Sequence, residues 1–459
     1  MKQDYFFTDS QIQQIRDGAL AILSEIGVKF GKQEYIDALN EKGFHSDGNF
    51  VRVEKQDALK KIESQKGSSR PPVMPLVTYI SSYSHTYEDV DGGFSQITNQ
   101  SNVSMGHFAG NVAAFYPALI PSCPGHPVDC HPNLQFLSHT VNSFIWCEDY
   151  NPMEPVSLSS AAYHFELCEI MGKSITNIPV YVASPLSVGG EGLEIAMTFP
   201  KKLEKIHVCS MPSLGANTPL NIVAAYAQTI AETVGGAVLI EALTGISTTY
   251  STNIFPFDFY DISMPFGTPE KILLEWANME VAGRVGGGRY MGPWSGDIHT
   301  NAPRCGIQAC MEKAILASAA AMMGAKHFYC SGTLGMDELF SPVQLLLDLE
   351  MLTQIQRIID GLPYDNFEGD LIEEIRDGIN NGYVMSDRTL NNINNYCSMP
   401  GLLTRKSFGE YMEKPFPLEL EKARAKAKKI MLMPPIWKLD DGLEREVLRI
   451  YEKAVASHA

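Results

Sequence analysis

Ile178-Pro179-Val180-Tyr181-Val182-Ala183, a helical pattern over 191–199, Ile206-His207-Val208-Cys209-Ser210 and a long helical pattern over 219–243 follow one another with little between them. The short runs are rich in β-branched residues, and the longer ones repeat apolar residues at helical spacing. Parallel neighbours need a crossover of a dozen or more residues, usually a helix, so this alternation predicts parallel strands with covering helices.

The pattern extends both ways. Downstream, Ser247-Thr248-Thr249-Tyr250-Ser251 reads as strand before a helix at 269–285. Arg289-Tyr290-Met291 reads as strand before a helix at 304–323, and His327-Phe328-Tyr329-Cys330 before one at 343–360. Upstream, Val141-Asn142-Ser143-Phe144-Ile145-Trp146-Cys147 reads as strand, followed by helix over 158–172. These units allow an open doubly wound sheet or a closed barrel. Further strands within 94–120 would favour eight-stranded closure.

At the N-terminus, Thr8-Asp9-Ser10 can cap a helix carrying Ile12, Ile15, Ala19, Ile22, Leu23 and Ile26, which Gly27 stops. Val28-Lys29-Phe30 and a polar helix near 32–42 follow, and 64–75, rich in Ser, Gly and Pro, reads as a linker. The tail reads as mostly helical, with a strongly charged helix over 418–431.

Thirty-six Lys and Arg against 53 Asp and Glu give a formal charge of −17 over 459 residues. An acidic chain without a long basic block is a poor partner for nucleic acid or an anionic membrane surface. Charged residues are 19% and apolar ones 45%, which argues against disorder. No unbroken apolar run reaches the ~20 residues of a membrane helix. Met1-Lys2-Gln3-Asp4-Tyr5 opens no secretory signal. Nine scattered cysteines without a CxxC pair fit a reducing cytoplasm. The spacings Cys305/Cys310 and Cys123/Cys130 are loose for zinc, so no tightly bound metal is expected. Gly286-Gly287-Gly288 precedes a strand, the wrong end for a phosphate cradle, and no P-loop, GxSxG or HExxH occurs.

In a βα barrel, chemistry gathers where strands end. The segments after the predicted strands carry aromatic rings and carboxylates and almost no basic residues. They include Glu148-Asp149-Tyr150, Phe255 to Asp261, Gly292 to His299, and Ser331 to Glu338. Such a lining suits a quaternary ammonium, which offers polarised methyls to ring faces and a charge to a carboxylate. The amine-binding candidates are therefore Phe255, Phe257, Tyr260, Trp294, His299, Asp297, Glu148 and Thr333. The plain alternative is that the rings of 255–261 only staple a long loop to the body of the protein. No Ser, Cys or Lys nucleophile stands out, so no catalytic residue is assigned.

Several segments together resemble the trimethylamine methyltransferase superfamily, and in particular its branch without pyrrolysine that demethylates quaternary amines such as glycine betaine. They are Thr8-Asp9-Ser10-Gln11-Ile12 to Gly27-Val28, Leu214-Gly215-Ala216-Asn217-Thr218-Pro219-Leu220, and Tyr260-Asp261-Ile262 to Gly267-Thr268-Pro269-Glu270. Glu312-Lys313 to Met323-Gly324-Ala325-Lys326, and Ser331-Gly332-Thr333-Leu334-Gly335-Met336 to Asp348-Leu349-Glu350, complete the set. The family's Thr-Asp-Ser-type run is replaced by His299-Thr300-Asn301-Ala302-Pro303-Arg304-Cys305, with no pyrrolysine in that neighbourhood. Its His-Glu-His-Thr becomes Ser386-Asp387-Arg388-Thr389.

The resemblance implies an α/β fold with a (β/α)8 TIM barrel over 76–365, an N-terminal helical extension over 1–75 and a C-terminal helical segment over 366–459. It implies a cytoplasmic methyltransferase, in methanogenesis or acetogenesis, passing a methyl group from a betaine-like quaternary amine to the Co(I) of a corrinoid (cobalamin) protein. That partner would bring the nucleophile, and a homo-oligomer is compatible. Ser295, His299, Thr300 or amides near Pro303 could receive a betaine carboxylate. Two other readings remain: a zinc-dependent corrinoid methyltransferase using another methyl donor, and a non-catalytic barrel that binds a betaine or a corrinoid protein.

Overall fold

The computed structural model describes residues 6–65, 74–286, 295–362, 369–397 and 399–458. Seven strands position the site: β1 (Val77–Ile80), β2 (Leu119–Ile120), β3 (Asn177–Ala183), β4 (Lys205–Ser210), β5 (Ser247–Tyr250), β6 (Ser295–Asp297) and β7 (His327–Ser331). They form two parallel arcs, β5-β4-β3 and β6-β7-β1-β2. The last strand, β7, pairs with the first, β1. The chain is thus an α/β protein. Among the described residues, no strand pairing joins β2 to β3 or β5 to β6.

Burial alternates along β3 as a half-buried strand requires. Ile178, Val180 and Val182 are buried against helices, while Tyr181 turns to the other face. In β4 the register sets Cys209 beside Tyr181 and His207 beside Pro179. The helices Leu158–Ile170, Glu191–Thr198, Ile222–Thr244, Pro269–Val285 and Pro342–Asp360 stand where the sequence predicts them. Ile222–Thr244 is long and apolar enough to cross a membrane, but 72% of its apolar window is buried inside the protein.

Three expectations are corrected or fall elsewhere. The run 141–147 is not a strand but the end of the helix Gln135–Trp146, in which Leu137 to Ile145 are all buried. A short run buried on every side has no periodicity to separate strand from helix. Arg289-Tyr290-Met291 lie outside the described residues, and β6 begins at Ser295. The helix expected at 304 begins at Ile307 after Gly306, so its amides do not start near Pro303.

The N-terminal segment is not only helical. Thr8 and Gln11 form the capping box of Asp9–Glu25, which packs on Ile222–Thr244. Strand Val28–Phe30 then joins the β3 arc through Ser187–Val188 and carries the hairpin Phe50–Arg52/His45–Asp47. Ile15, Leu23, Phe30 and Val51 share one core with Val180, Ile206 and Ile230. In the tail, Glu419–Met431 buries Ala423, Ala427 and Ile430 beside Phe108 and Leu346. Asp441–His458 buries Val447, Ile450 and Ala454 in the main core.

Candidate functional site

A cavity of about 700 Å3 opens among the strand ends of both arcs. Tyr79 and Tyr83 line it from the β1 side, Tyr181 from β3 and Tyr329 from β7. Glu154, Asp297 and Asp337 supply carboxylates, and Met153 a thioether. Among the described residues, no Lys or Arg lines it. A second cleft, lined by Lys32, Tyr35 and Gly189 to Gly192, adjoins it at Tyr83, Glu154 and Tyr181. Tyr181 and Tyr329 leave 51% and 42% of their surface open, yet burial raises both phenols and pushes Tyr83 up to about 12. The two facts agree if the open surface faces a recess walled by protein rather than bulk water. Burial likewise raises the Glu154 carboxyl.

The register builds this wall. Tyr79 of β1 stacks on Tyr329 with centroids 4.9 Å apart and on His327 at 6.0 Å. Pairing of β1 with β7 slips between Phe328 and Ser331, and Cys330 there has φ of 73°. The slip is a bulge, and it lets consecutive side chains, Tyr329 and Cys330, both reach the cavity. His299 Nε2 lies 2.7 Å from Asp337 Oδ1 and 3.1 Å from Cys330 Sγ. Burial works against the His299 cation, but Cys330 and Asp337 outweigh it and hold the imidazole well above its ordinary value. Burial pushes the Cys330 thiol up, with His299 opposing.

The segments behind these groups are held by acids and a lysine from two helices. Glu312 of Ile307–Met323 accepts Thr300 Oγ1 at 2.5 Å and the Asn301 amide at 2.9 Å. A Cβ on Gly267 would sit 2.1 Å from the Glu312 carboxylate, so a side chain there would displace Glu312 from Thr300 and Asn301. Lys313, fully buried, meets Asp348 at 2.7 Å and donates to the Cys330 carbonyl at 3.1 Å. Asp348 also accepts the Gly332 amide at 2.7 Å and Gln344 Nε2 at 2.8 Å. Amides of Gly335 and Met336 bond to the carbonyls of Ala302 and Thr300, setting Asp337 beside His299.

Of the sequence candidates, His299 and Asp297 line the cavity. Phe255 is buried against Phe266, whose ring lies 4.5 Å from His299. Its face already carries a cation of the chain's own, Lys271 Nζ at 4.6 Å. Phe257 packs edge-on against Phe259 at 5.2 Å. Tyr260 is 97% exposed and Glu148 is exposed, so neither faces the cavity. Thr333 is fully buried with its hydroxyl unpartnered and does not line the cavity. Trp294 lies outside the described residues, as does the side chain of Ser295. Thr300 spends its hydroxyl on Glu312. Of the rings in this loop, Phe255 packs into the protein, while Phe259 and Tyr260 are exposed. The rings that do surround the cavity are Tyr79, Tyr83, Tyr150, Tyr181 and Tyr329, and none is among the sequence candidates. Two of them lie within the strand runs 178–183 and 327–330, at positions that alternate away from the buried face.

Two buried histidines make this wall acid-sensitive. His139 Nδ1 donates to the Gly125 carbonyl at 2.7 Å, and His164 Nε2 donates to the Met153 carbonyl at 2.9 Å. Burial lowers both from 6.5 to about 4. The unfolded chain therefore binds more protons between those values. Stability from this source is complete above 6.5 and is lost as pH falls through that window, by up to roughly 3 kcal/mol per histidine. Urea denaturation across the window, compared with His164→Gln, isolates the imidazole from the buried carboxyls Glu154 and Glu232. Those are raised and act in the opposite sense. Equal pH slopes in the two proteins would remove His164 from this account.

A parallel α/β scaffold with a recess of rings and carboxylates at its strand ends is the class of a small-molecule enzyme or binder. Within it, the chain belongs to the trimethylamine methyltransferase (MTTB) family, whose profile matches residues 149–456. It is 24% identical over 293 residues to the trimethylamine methyltransferase MttB of Methanosarcina barkeri, covering 62% of this chain and 57% of that relative. It is 21% identical over 409 residues to MttB of Desulfitobacterium hafniense, covering 83% of this chain and 80% of that one. The chain thus spans 57% of the length of the Methanosarcina barkeri protein it matches. The monomethylamine methyltransferase MtmB of Methanosarcina barkeri superposes with a TM-score of 0.45 at 10% identity, over 97% of this chain and 88% of that one.

Proposed function

We propose that this chain moves a methyl group from a betaine-like quaternary amine to the cobalt of a separate corrinoid protein. Family membership supports the reaction class. The cavity lining is the observation that carries the substrate class: five tyrosines and three carboxylates, with no Lys or Arg among the described residues. Rings attract a desolvated trimethylammonium, and a carboxylate balances its charge. We also read the two arcs as sides of one eight-membered (β/α)8 barrel, a reading supported by the pairing of β7 with β1.

A corrinoid protein would supply a reduced metal as methyl acceptor. This chain's own residues do the rest. Tyr79, Tyr181 and Tyr329 hold the cation and orient one C–N bond, and the wall keeps water out. The departing tertiary amine is neutral, so no proton need be delivered to it. Positive charge vanishes at nitrogen during transfer, so too tight an ion pair would stabilise the ground state and slow the step. Burial raises the Glu154 carboxyl, which disfavours its anion and so moderates that pairing.

The test is a panel of methylated amines incubated with the full chain and Co(I) cobalamin, following methyl–cobalt absorbance. Product is expected with at least one betaine-type quaternary amine and not with trimethylamine. Product from trimethylamine alone, or from no amine in the panel, would sink the substrate assignment.

A further inference from the structure

His299 Nε2, Cys330 Sγ and Asp337 Oδ1 all lie within 4.8 Å of one another. The separations are 2.7 Å from nitrogen to oxygen, 3.1 Å from nitrogen to sulfur and 4.0 Å from sulfur to oxygen. Nε2 therefore faces the acid and the thiol at once, and the thiol also lies against the same carboxylate oxygen, so three ligand atoms converge on one point. A thiol–imidazole–carboxylate relay would place the acid at the other nitrogen. Here Nδ1 is buried and unpartnered, while acid and thiol both converge on Nε2.

A cation between the three would meet one atom from each. Tetrahedral zinc, with bonds of about 2.0–2.3 Å to N, O and S, sets its donors roughly 3.3–3.6 Å apart. Each observed separation is within about 0.7 Å of that range. The backbone gives a second, independent sign. Cys330 holds a left-handed φ of 73° at the β7 bulge, an unfavourable choice for a residue with a Cβ, and the bulge is what brings its thiol to the cavity. The ligands come from three separate elements, which is why spacing between cysteines gave no hint of them.

We propose that His299, Cys330 and Asp337 bind one divalent ion of the zinc class, with a fourth position open to the cavity. A mixed N, S, O set favours such an ion over magnesium or calcium. Three protein ligands with one open position is the arrangement of zinc sites that engage a second molecule. The open position would take a donor atom of whatever occupies the cavity. The inference goes beyond the methyl-transfer reading and does not depend on it.

The test is titration of the metal-free full chain with Co2+ alone, followed by absorption. One equivalent is expected to bind, with tetrahedral visible bands and a thiolate-to-cobalt charge-transfer band that Zn2+ abolishes. Cys330→Ala should remove the charge-transfer band and weaken binding at least ~100-fold, and Asp337→Asn at least ~10-fold. Cys397→Ser, at an exposed thiol, should change nothing. Circular dichroism of the metal-free variants checks folding, and the Asp337 side chain is 40% exposed, so that variant stands if Cys330→Ala does not fold. No charge-transfer band in the wild type, or a band and affinity that survive Asp337→Asn or a folded Cys330→Ala, would overturn the site. No methylated amine or corrinoid enters the experiment, so its failure leaves the proposed reaction standing.

Discussion

Lys313→Met is expected to destabilise the folded chain by about 3–5 kcal/mol, the usual cost of removing one partner from a buried ion pair. Lys313 is 0% exposed and the Asp348 side chain 1%, with 2.7 Å between the charged atoms. Removing the lysine leaves a carboxylate in the interior with, among the described residues, the Gly332 amide and Gln344 as donors. It also frees the Cys330 carbonyl, so the bulge that aims Tyr329 and Cys330 loses its brace. Lys313→Met combined with Asp348→Asn should recover most of the loss, because Asn still accepts the Gly332 amide without a charge. Urea denaturation of the three proteins measures this. A single-mutant loss below about 1 kcal/mol, or a double mutant no better than the single, would contradict a dry, paired site.

The second large effect concerns ligand binding. Tyr181→Leu with Tyr329→Leu should raise the dissociation constant for a trimethylammonium compound by roughly 100-fold, taking ~1–2 kcal/mol for each desolvated ring–cation contact. Both side chains are largely open to the cavity, so the fold should lose little beyond the Tyr79–Tyr329 stack. A neutral tert-butyl analogue is the control. If its affinity falls as far as that of the cation, the rings provide apolar area and nothing more. Tyr181→Phe keeps the ring face and should bind nearly as the wild type does.

The strands 178–183, 206–210 and 327–330 were legible because each is a short β-rich run between turn residues and an unmistakable helix. The run 141–147 was not, since Leu137 to Ile145 are buried all round and a helix in that setting shows no face. For the site, the sequence carried the residue types, rings and acids, but not their places. Loop aromatics such as Phe255 and Tyr260 draw the eye by their density. Their orientation depends on Phe266, Lys271 and solvent, none of which their own spacing encodes. Tyr181 and Tyr329 were in view all along as members of strands. The period-2 alternation that buries Val180 and Val182 already sets Tyr181 on the opposite face. Glu312, Lys313, Asp348 and Glu350 stood out through family likeness. Their work is to hold the segments around 300, 330 and 402 from behind.

The pairing of β1 with β7 also bears on how the chain is made. Thr78 bonds to the Phe328 carbonyl across 250 positions of sequence. At a translation rate of ~5–20 residues per second, β1 leaves the ribosome some 12–50 seconds before its neighbour exists. During that interval one hydrogen-bonding edge of an apolar strand has no native companion, so nascent-chain chaperones have a defined window in which to protect it.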